Sequence, residues 1–133
     1  MIINIPVSFG ELIDKITILQ LKLKMIDDKN KLSYIRLERD KLLLIYEKNK
    51  NFLDDETIRV LYTLENTLYE INKKLWYIED DIRVKEKNKR FDESFVELAR
   101  SVYKTNDNRM EIKNKINKLM DSDIKEQKSY KPY

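Results

Sequence analysis

Glycine and proline, the residues that most often end a helix or form a turn, are almost absent from this chain. Gly10 is the only glycine and the two prolines are Pro6 and Pro132, so neither residue occurs from Glu11 to Lys131. Folds built from short strands need frequent turns, and turns draw heavily on these residues. The sequence therefore predicts an all-α fold, an antiparallel bundle of about four helices with one long helix and a short extended N-terminal segment.

Length and composition limit the domain organisation and the chemistry. A chain of 133 residues suits one domain over 1–133, with 122–133 as an extended polar tail. The chain has no cysteine and no histidine, which excludes disulfides, thiolate nucleophiles, and metal sites built on thiolate or imidazole. A single glycine also excludes the glycine-rich loops that bind nucleotide phosphates. We expect no metal and no cofactor.

The charged residues are numerous but balanced. The 27 lysines and arginines are interspersed with 24 aspartates and glutamates, which leaves a net charge of +3. This pattern is typical of solvated helix surfaces and differs from the basic stripe that binds nucleic acid. No apolar run approaches the ~20 residues that a membrane span needs. We therefore expect a cytoplasmic protein that binds neither nucleic acid nor a membrane.

The first helix is predicted to begin at a capping box. Ser8 and Glu11 have the spacing of that motif, and the apolar residues around Pro6 precede it as an extended segment. Apolar side chains then cover most of the helix circumference, which predicts a central, buried helix. Asp14 and Lys15 interrupt this apolar pattern, so each needs a polar partner, a pocket or a solvent edge. Residues 27–30 are polar and suit a short connection.

Two further helices follow. The second is predicted from about Lys31 to Asn49, and the third from a cap at Asp54 or Asp55 to about Lys87. The third helix has a coiled-coil-type seam of apolar residues that alternate at spacings of three and four. A stripe with Tyr62, Tyr69 and Trp76 at intervals of seven lies beside that seam and predicts a second packing surface. The length of this helix, about 50 Å, makes a homodimer an expectation.

The fourth helix is predicted from a cap at Asp92 to about Met120, and its apolar seam is interrupted by Thr105 and Arg109. A guanidinium on a core-facing stripe is costly unless it meets a carboxylate, a backbone carbonyl or an anionic ligand. Several interpretations stay open.

In the first, Arg109 forms a buried ion pair with Asp14, Glu11 or Glu38. In the second, Arg109 lies in a polar pocket between helices and binds a carboxylate or phosphate. In the third, the helix breaks near Thr105, which would leave the seam.

Both ends of the chain carry motifs of one known family. The N-terminal segment is Met1 to Leu23, which contains IPVSFGELIDKITILQLKL. The C-terminal segments are ARSVYKTNDNRMEIKNKIN from Ala99 to Asn117 and EQKSYKPY from Glu126. These segments, more than a third of the chain, resemble a small bacterial and viral family of unknown function whose members begin IPVSxGELxDKxTILxxK. The resemblance implies that the polar residues of the segments belong together. They are Ser8, Gly10, Glu11, Asp14, Lys15, Thr17, Lys22, Asn106, Asp107, Arg109, Lys113, Asn117, Glu126, Lys128, Ser129 and Tyr130.

Two fainter similarities concern enzymes. The residues from Leu12 to Ile16 are similar to the start of the first helix in all-helical chorismate mutases, although the arginine expected near that start is absent. Glu11 and Asp14 are similar to half of a MazG-type magnesium site, whose second half would need a carboxylate cluster such as residues 79–81.

From these patterns we predict a polar pocket between the first and last helices, with the tail folded over it. The expected partner is a small anionic metabolite such as a sugar phosphate, a nucleotide sugar or a carboxylate. Glu11 and Asp14 are the candidate acid and base groups, because the chain has no histidine. The alternative is a structural or interaction module whose buried charges fix bundle register and dimerisation. The predicted ligand-binding residues are Lys15, Lys22, Asn106, Arg109, Lys113, Lys128 and Tyr130.

Overall fold

Four α-helices and their connections account for residues 1–133 in the computed structural model, and there is no strand. The all-α prediction is confirmed. None of the helices combines the length and the apolar composition that crossing a membrane requires. The helices are α1 (Phe9–Met25), α2 (Lys29–Lys50), α3 (Asp55–Lys87) and α4 (Glu93–Leu119).

Each helix begins after a capping side chain that accepts backbone hydrogen bonds. Ser8 caps α1 and accepts from the amide of Glu11, and the aspartates before α3 and α4 act in the same way. Asp28 accepts from the amides of Asn30 and Lys31. The second helix therefore begins two residues before the predicted start at Lys31. The connection from α1 is reduced to residues 26–28.

Helix α1 is the central element, as its apolar circumference predicts. It packs against all three other helices, and α2 makes its main contacts with α1. The hydrophobic core lies where α1 meets the adjoining parts of α2, α3 and α4. The core residues are Leu12, Ile13, Ile16, Tyr46, Leu61, Leu68 and Ile116.

Helices α3 and α4 form the most extensive helix pair. Lys85 near the end of α3 contacts Asp92 at 3.2 Å, while Leu61 and Ile116 meet in the core at the other end. The length of α3 is therefore largely covered by α4 of the same chain. Helix α4 is unbroken, and Thr105 is buried on it, so a break near Thr105 does not occur.

Both ends of the chain lie outside the helices. Residues 1–7 form neither helix nor strand, and the side chains of Ile2, Ile3 and Ile5 are exposed. The tail after α4 has no regular structure but is attached to the bundle. The amide of Phe9 donates to the Ser122 hydroxyl at 3.4 Å, so the tail begins beside the first turn of α1.

Candidate functional site

Asp14 is the centre of a group of charged side chains between α1 and α4. Its side chain is 1% exposed, and its neighbours on the buried side of α1 are mostly apolar. Arg109 donates through Nε to Asp14 Oδ1 at 3.0 Å and through Nη2 to Oδ2. Such bidentate pairing matches the planar guanidinium to the carboxylate. The buried ion pair, one of the interpretations left open by the sequence, is the arrangement that forms.

Lys113, one turn after Arg109, joins three carboxylates. Its Nζ donates to Glu11 Oε2 at 2.7 Å and to Glu126 Oε2 at 3.0 Å, and it lies 3.9 Å from Asp14 Oδ2. The side chain of Lys113 is only 8% exposed. We refer to Glu11, Asp14, Arg109, Lys113 and Glu126 as the charge network.

The cations of the charge network stay protonated despite burial. Burial of Arg109 and of Lys113 favours their neutral forms, but hydrogen bonds to the carboxylates outweigh this effect and raise the pKa of both groups. The hydrogen bond from Lys113 holds the pKa of Glu126 below its ordinary value of 4.5. A carboxyl group with a lowered pKa contributes stability while it is ionised, and this contribution is lost as the pH falls through its pKa in the folded protein. The ion pair between Glu126 of the tail and Lys113 is therefore fully formed at neutral pH.

The first turn of α1 lies directly against α4. The Gly10 amide donates to Asn117 Oδ1 at 2.6 Å, and a Cβ on Gly10 would lie 2.5 Å from the backbone oxygen of Lys113. The amides of Phe9 and Glu11 are bonded to serine hydroxyls, so the N-terminal donors of α1 already have protein partners. This helix end therefore offers no free amides to an anion. The Asn117 Nδ2 atom is buried without a hydrogen-bond partner.

Helix α3 contributes a residue that the sequence analysis missed. Asn72 Nδ2 donates to Asp14 Oδ1 at 2.9 Å and to Thr17 Oγ1 at 3.0 Å, and Asn72 is buried. The spacing of Asn72 from the apolar residues of α3 is the sequence signal that indicates its burial. Asn72 lies four residues after Leu68 and three before Leu75, on the same buried face of α3.

The structure brings together only part of the predicted site. Glu11, Asp14, Arg109 and Lys113 meet in the charge network. Lys128 approaches its edge, with Nζ 4.0 Å from Glu126 Oε1.

The other predicted ligand-binding residues lie elsewhere. Lys15 is exposed and pairs with Glu38 of α2 at 3.6 Å, and Lys22 makes no ion pair. Asn106 is partly buried outside the charge network. Tyr130 is exposed, with its ring against Lys128 at 5.7 Å. Asp14 and Lys15 are adjacent in sequence but face α4 and α2, respectively. The reason is that successive side chains point about 100° apart around a helix.

The residues of the charge network line none of three cavities of the bundle. Cavities of about 440, 940 and 220 Å³ are lined by other residues. The acidic residues 79–81 lie on the exposed part of α3, and Asp81 lines the cavity of about 940 Å³. No three acidic side chains are grouped so that they could hold a metal ion. The carboxylate clusters that a MazG-type site combines are therefore not brought together.

Comparison with known proteins identifies a family for this chain. The model of a family of unknown function (DUF6165) matches residues 3–133. No curated protein and no solved structure matches the chain. The family match includes the middle of the chain, where the sequence is ordinary amphipathic helix, as well as all residues of the charge network. The chain therefore belongs to this family of unknown function (DUF6165).

Proposed function

We propose that this protein is a helical interaction module, and that the charge network fixes how α1 is positioned on α4. The observation that carries this proposal is the bidentate pairing of Asp14, 1% exposed, with Arg109. A general acid or base must reach the proton that it transfers. Asp14 faces Arg109 and Asn72 rather than an open cleft, so its position supports a structural role over a catalytic one.

The balance of charges supports the same role. The charge network contains three carboxylates and two cations. Arg109 pairs with Asp14. Lys113 pairs with Glu11 and Glu126. Each cation of the charge network already contacts a carboxylate. An anionic metabolite would therefore have to displace one of these carboxylates. Breaking a buried ion pair is costly because the remaining charge stays buried.

The surface that the module would use lies on α2. The outer face of α2, as we call Tyr34, Leu37, Leu44 and Ile45, points away from the core, with side chains 48–75% exposed. Tyr34, Leu37 and Leu44 follow the spacing of a packing seam, and Lys41 continues that spacing between the two leucines. Helix α2 therefore has two apolar faces, of which α1 covers one.

A second copy of the chain fits this face by antiparallel pairing. A two-fold axis between Asp40 and Lys41 places Leu37 opposite Leu44 of the second copy and Lys41 opposite Asp40 of the second copy. Lys41 makes no ion pair within its own chain. The aromatic stripe of α3 is less available, since Tyr62 and Tyr69 lie against Lys50 and Lys24 at 5.3 and 5.4 Å.

Sedimentation equilibrium tests this surface. We expect a dimer at micromolar concentration, and we expect Leu37→Lys with Leu44→Lys to weaken dimerisation by about 100-fold because lysines replace the central contacts. The helical circular dichroism should not change, since both leucines are exposed. Val96→Lys, an equally exposed change on α4, serves as the control. A native monomer, or equal weakening by the control, would contradict the proposal.

A second candidate function is the binding of a small anionic metabolite, and the position of Glu126 favours it. This carboxylate belongs to the irregular tail and contacts the buried ammonium of Lys113, where a phosphate or carboxylate ligand would also be held. Arg109, with 29% of its side chain exposed, would be a second contact. In this role the tail would leave the site when the ligand binds.

Titration of the native protein and of Glu126→Gln with phosphate and citrate separates the two candidates. If the site binds anions, the variant will bind them about tenfold more tightly, because the competing carboxylate is gone. The interaction module predicts no saturable binding by either protein in isothermal calorimetry. Glu111→Gln, an exposed change on α4 outside the charge network, controls for the lost negative charge.

A further inference from the structure

A small cleft lies between α1, α2 and α3, away from the charge network. Its volume is about 220 Å³, and its apolar lining is formed by Ile13, Ile16 and Leu43. Ile13 and Ile16 are buried core residues, so this side of the cleft is fixed by the packing of α1. Small-molecule sites commonly combine such an apolar surface with a few polar groups that point to one space.

A tyrosine and a carboxylate meet at the cleft. The hydroxyl of Tyr46 donates to Glu65 Oε1, and Glu65 Oε2 has no hydrogen-bond partner within the protein. Burial raises the pKa of Tyr46 and that of Glu65, and the carboxylate of Glu65 also keeps Tyr46 protonated. In the cleft, the neutral phenol of Tyr46 is therefore paired with one oxygen of the Glu65 carboxylate, and the other oxygen can accept a hydrogen bond from a ligand.

Four more polar side chains line the same space, and one of them, Thr17, is already hydrogen-bonded to Asp14 and Asn72. The amides of Gln20 and Asn66 and the hydroxyl of Tyr69 make no hydrogen bond within the protein. Together they offer both donors and acceptors to a bound molecule. The tyrosine rings add flat apolar surface beside these groups.

The charges near the cleft favour a neutral ligand. Glu65 is the only charged residue in the lining. Lys24 lies 5.4 Å from the ring centre of Tyr69 and Lys50 lies 5.3 Å from that of Tyr46. These two cations oppose the carboxylate, so a charged ligand of either sign would meet a like charge nearby. A hydroxyl-rich neutral molecule avoids that repulsion and can use every polar group.

The volume limits the ligand to a small one. Water occupies about 30 Å³ per molecule in the liquid, so the cleft has room for roughly seven waters. This is the size of a five- or six-carbon polyol. We propose that the cleft between α1, α2 and α3 is a binding site for a neutral polyol or monosaccharide, with Glu65 and Gln20 accepting from and donating to its hydroxyls.

The test is a titration of methyl-labelled protein with D-glucose, D-glucosamine and glucose 6-phosphate. These probes share one skeleton and differ in charge. We expect glucose at about 50 mM to shift the methyl signals of Ile13, Ile16 and Leu43, with a millimolar dissociation constant. We expect the cationic and anionic sugars to bind at least several-fold more weakly.

Two variants locate the binding. Glu65→Gln keeps an acceptor for Tyr46 but removes the charge, and we expect about tenfold weaker glucose binding. Gln20→Ala changes an exposed rim residue and should weaken binding several-fold without affecting folding. Glu56→Gln, exposed on α3 outside the cleft, is the control. Absence of methyl shifts, preference for a charged sugar, or equal binding by Gln20→Ala and the control would overturn the proposal.

Discussion

Replacing Arg109 by methionine will lower the free energy of unfolding by about 3 kcal/mol, because it leaves the Asp14 carboxylate buried without its main partner. Asp14→Leu alone will be destabilising for the converse reason, since the guanidinium then loses its carboxylate. Combining Asp14→Leu with Arg109→Met removes both charges together. Apolar replacements of similar volume often substitute for a buried ion pair at little or no cost. We therefore expect the double variant to be more stable than either single one.

Urea unfolding of the four proteins measures this coupling as a double-mutant cycle. Arg100→Met is the matched control, because Arg100 forms an exposed ion pair with Glu97 on the same helix, and its loss should leave stability nearly unchanged. Asn72 keeps Thr17 as a hydrogen-bond partner in every variant. If the single variants are as stable as the native protein, Asp14 and Arg109 do not fix the position of α1 on α4.

The second large effect concerns Gly10. Alanine at this position would place a Cβ 2.5 Å from the Lys113 carbonyl oxygen and 2.9 Å from Asn117 Oδ1. Alanine usually stabilises a helix over glycine by about 1 kcal/mol. Here overpacking costs ~1–3 kcal/mol and the weakened hydrogen bond to Asn117 a similar amount, so the clash decides the sign. We expect Gly10→Ala to lower the free energy of unfolding by about 3 kcal/mol.

Asn117→Ala separates the two contacts. It removes the side-chain contact and the hydrogen bond but leaves the closer backbone oxygen of Lys113 in place. Gly10→Ala should therefore stay destabilising in the Asn117→Ala background, as measured by thermal unfolding. Recovery to the stability of Asn117→Ala alone would show that α1 can move away from α4 at little cost.

The helices could be predicted from the sequence because their signals are local. Ser8, Asp54 and Asp92 cap helices near the predicted positions, since a cap and the amides that it binds lie within three residues. The predicted start of α2, at Lys31, is two residues late because the local capping signal at Asp28 is not used. The polar pattern places Asp28 in the connection, but its carboxylate accepts hydrogen bonds from the amides of Asn30 and Lys31 in the first turn of α2.

The candidate site could be predicted only where residues share a helix face. Asp14 and Arg109 interrupt apolar stripes, so their meeting could be expected. Lys15 is adjacent to Asp14 in sequence, but it lies on the side of α1 that faces Glu38. Asn72 and Glu65 were missed, because a single helix pattern does not tell which of its polar residues another helix will cover.

The contacts between α1 and the end of α4 also have a consequence for the order of folding. The hydrogen bonds of Asp14 with Arg109, Gly10 with Asn117, and Phe9 with Ser122 join residues separated by 95, 107 and 113 positions. The two helical hairpins, α1–α2 and α3–α4, close through short connections. Contacts between distant residues carry a larger loop-closure entropy and form more slowly. During synthesis, Asp14 is therefore made 95 residues before Arg109, and its carboxylate stays solvated and without this partner until α4 has formed.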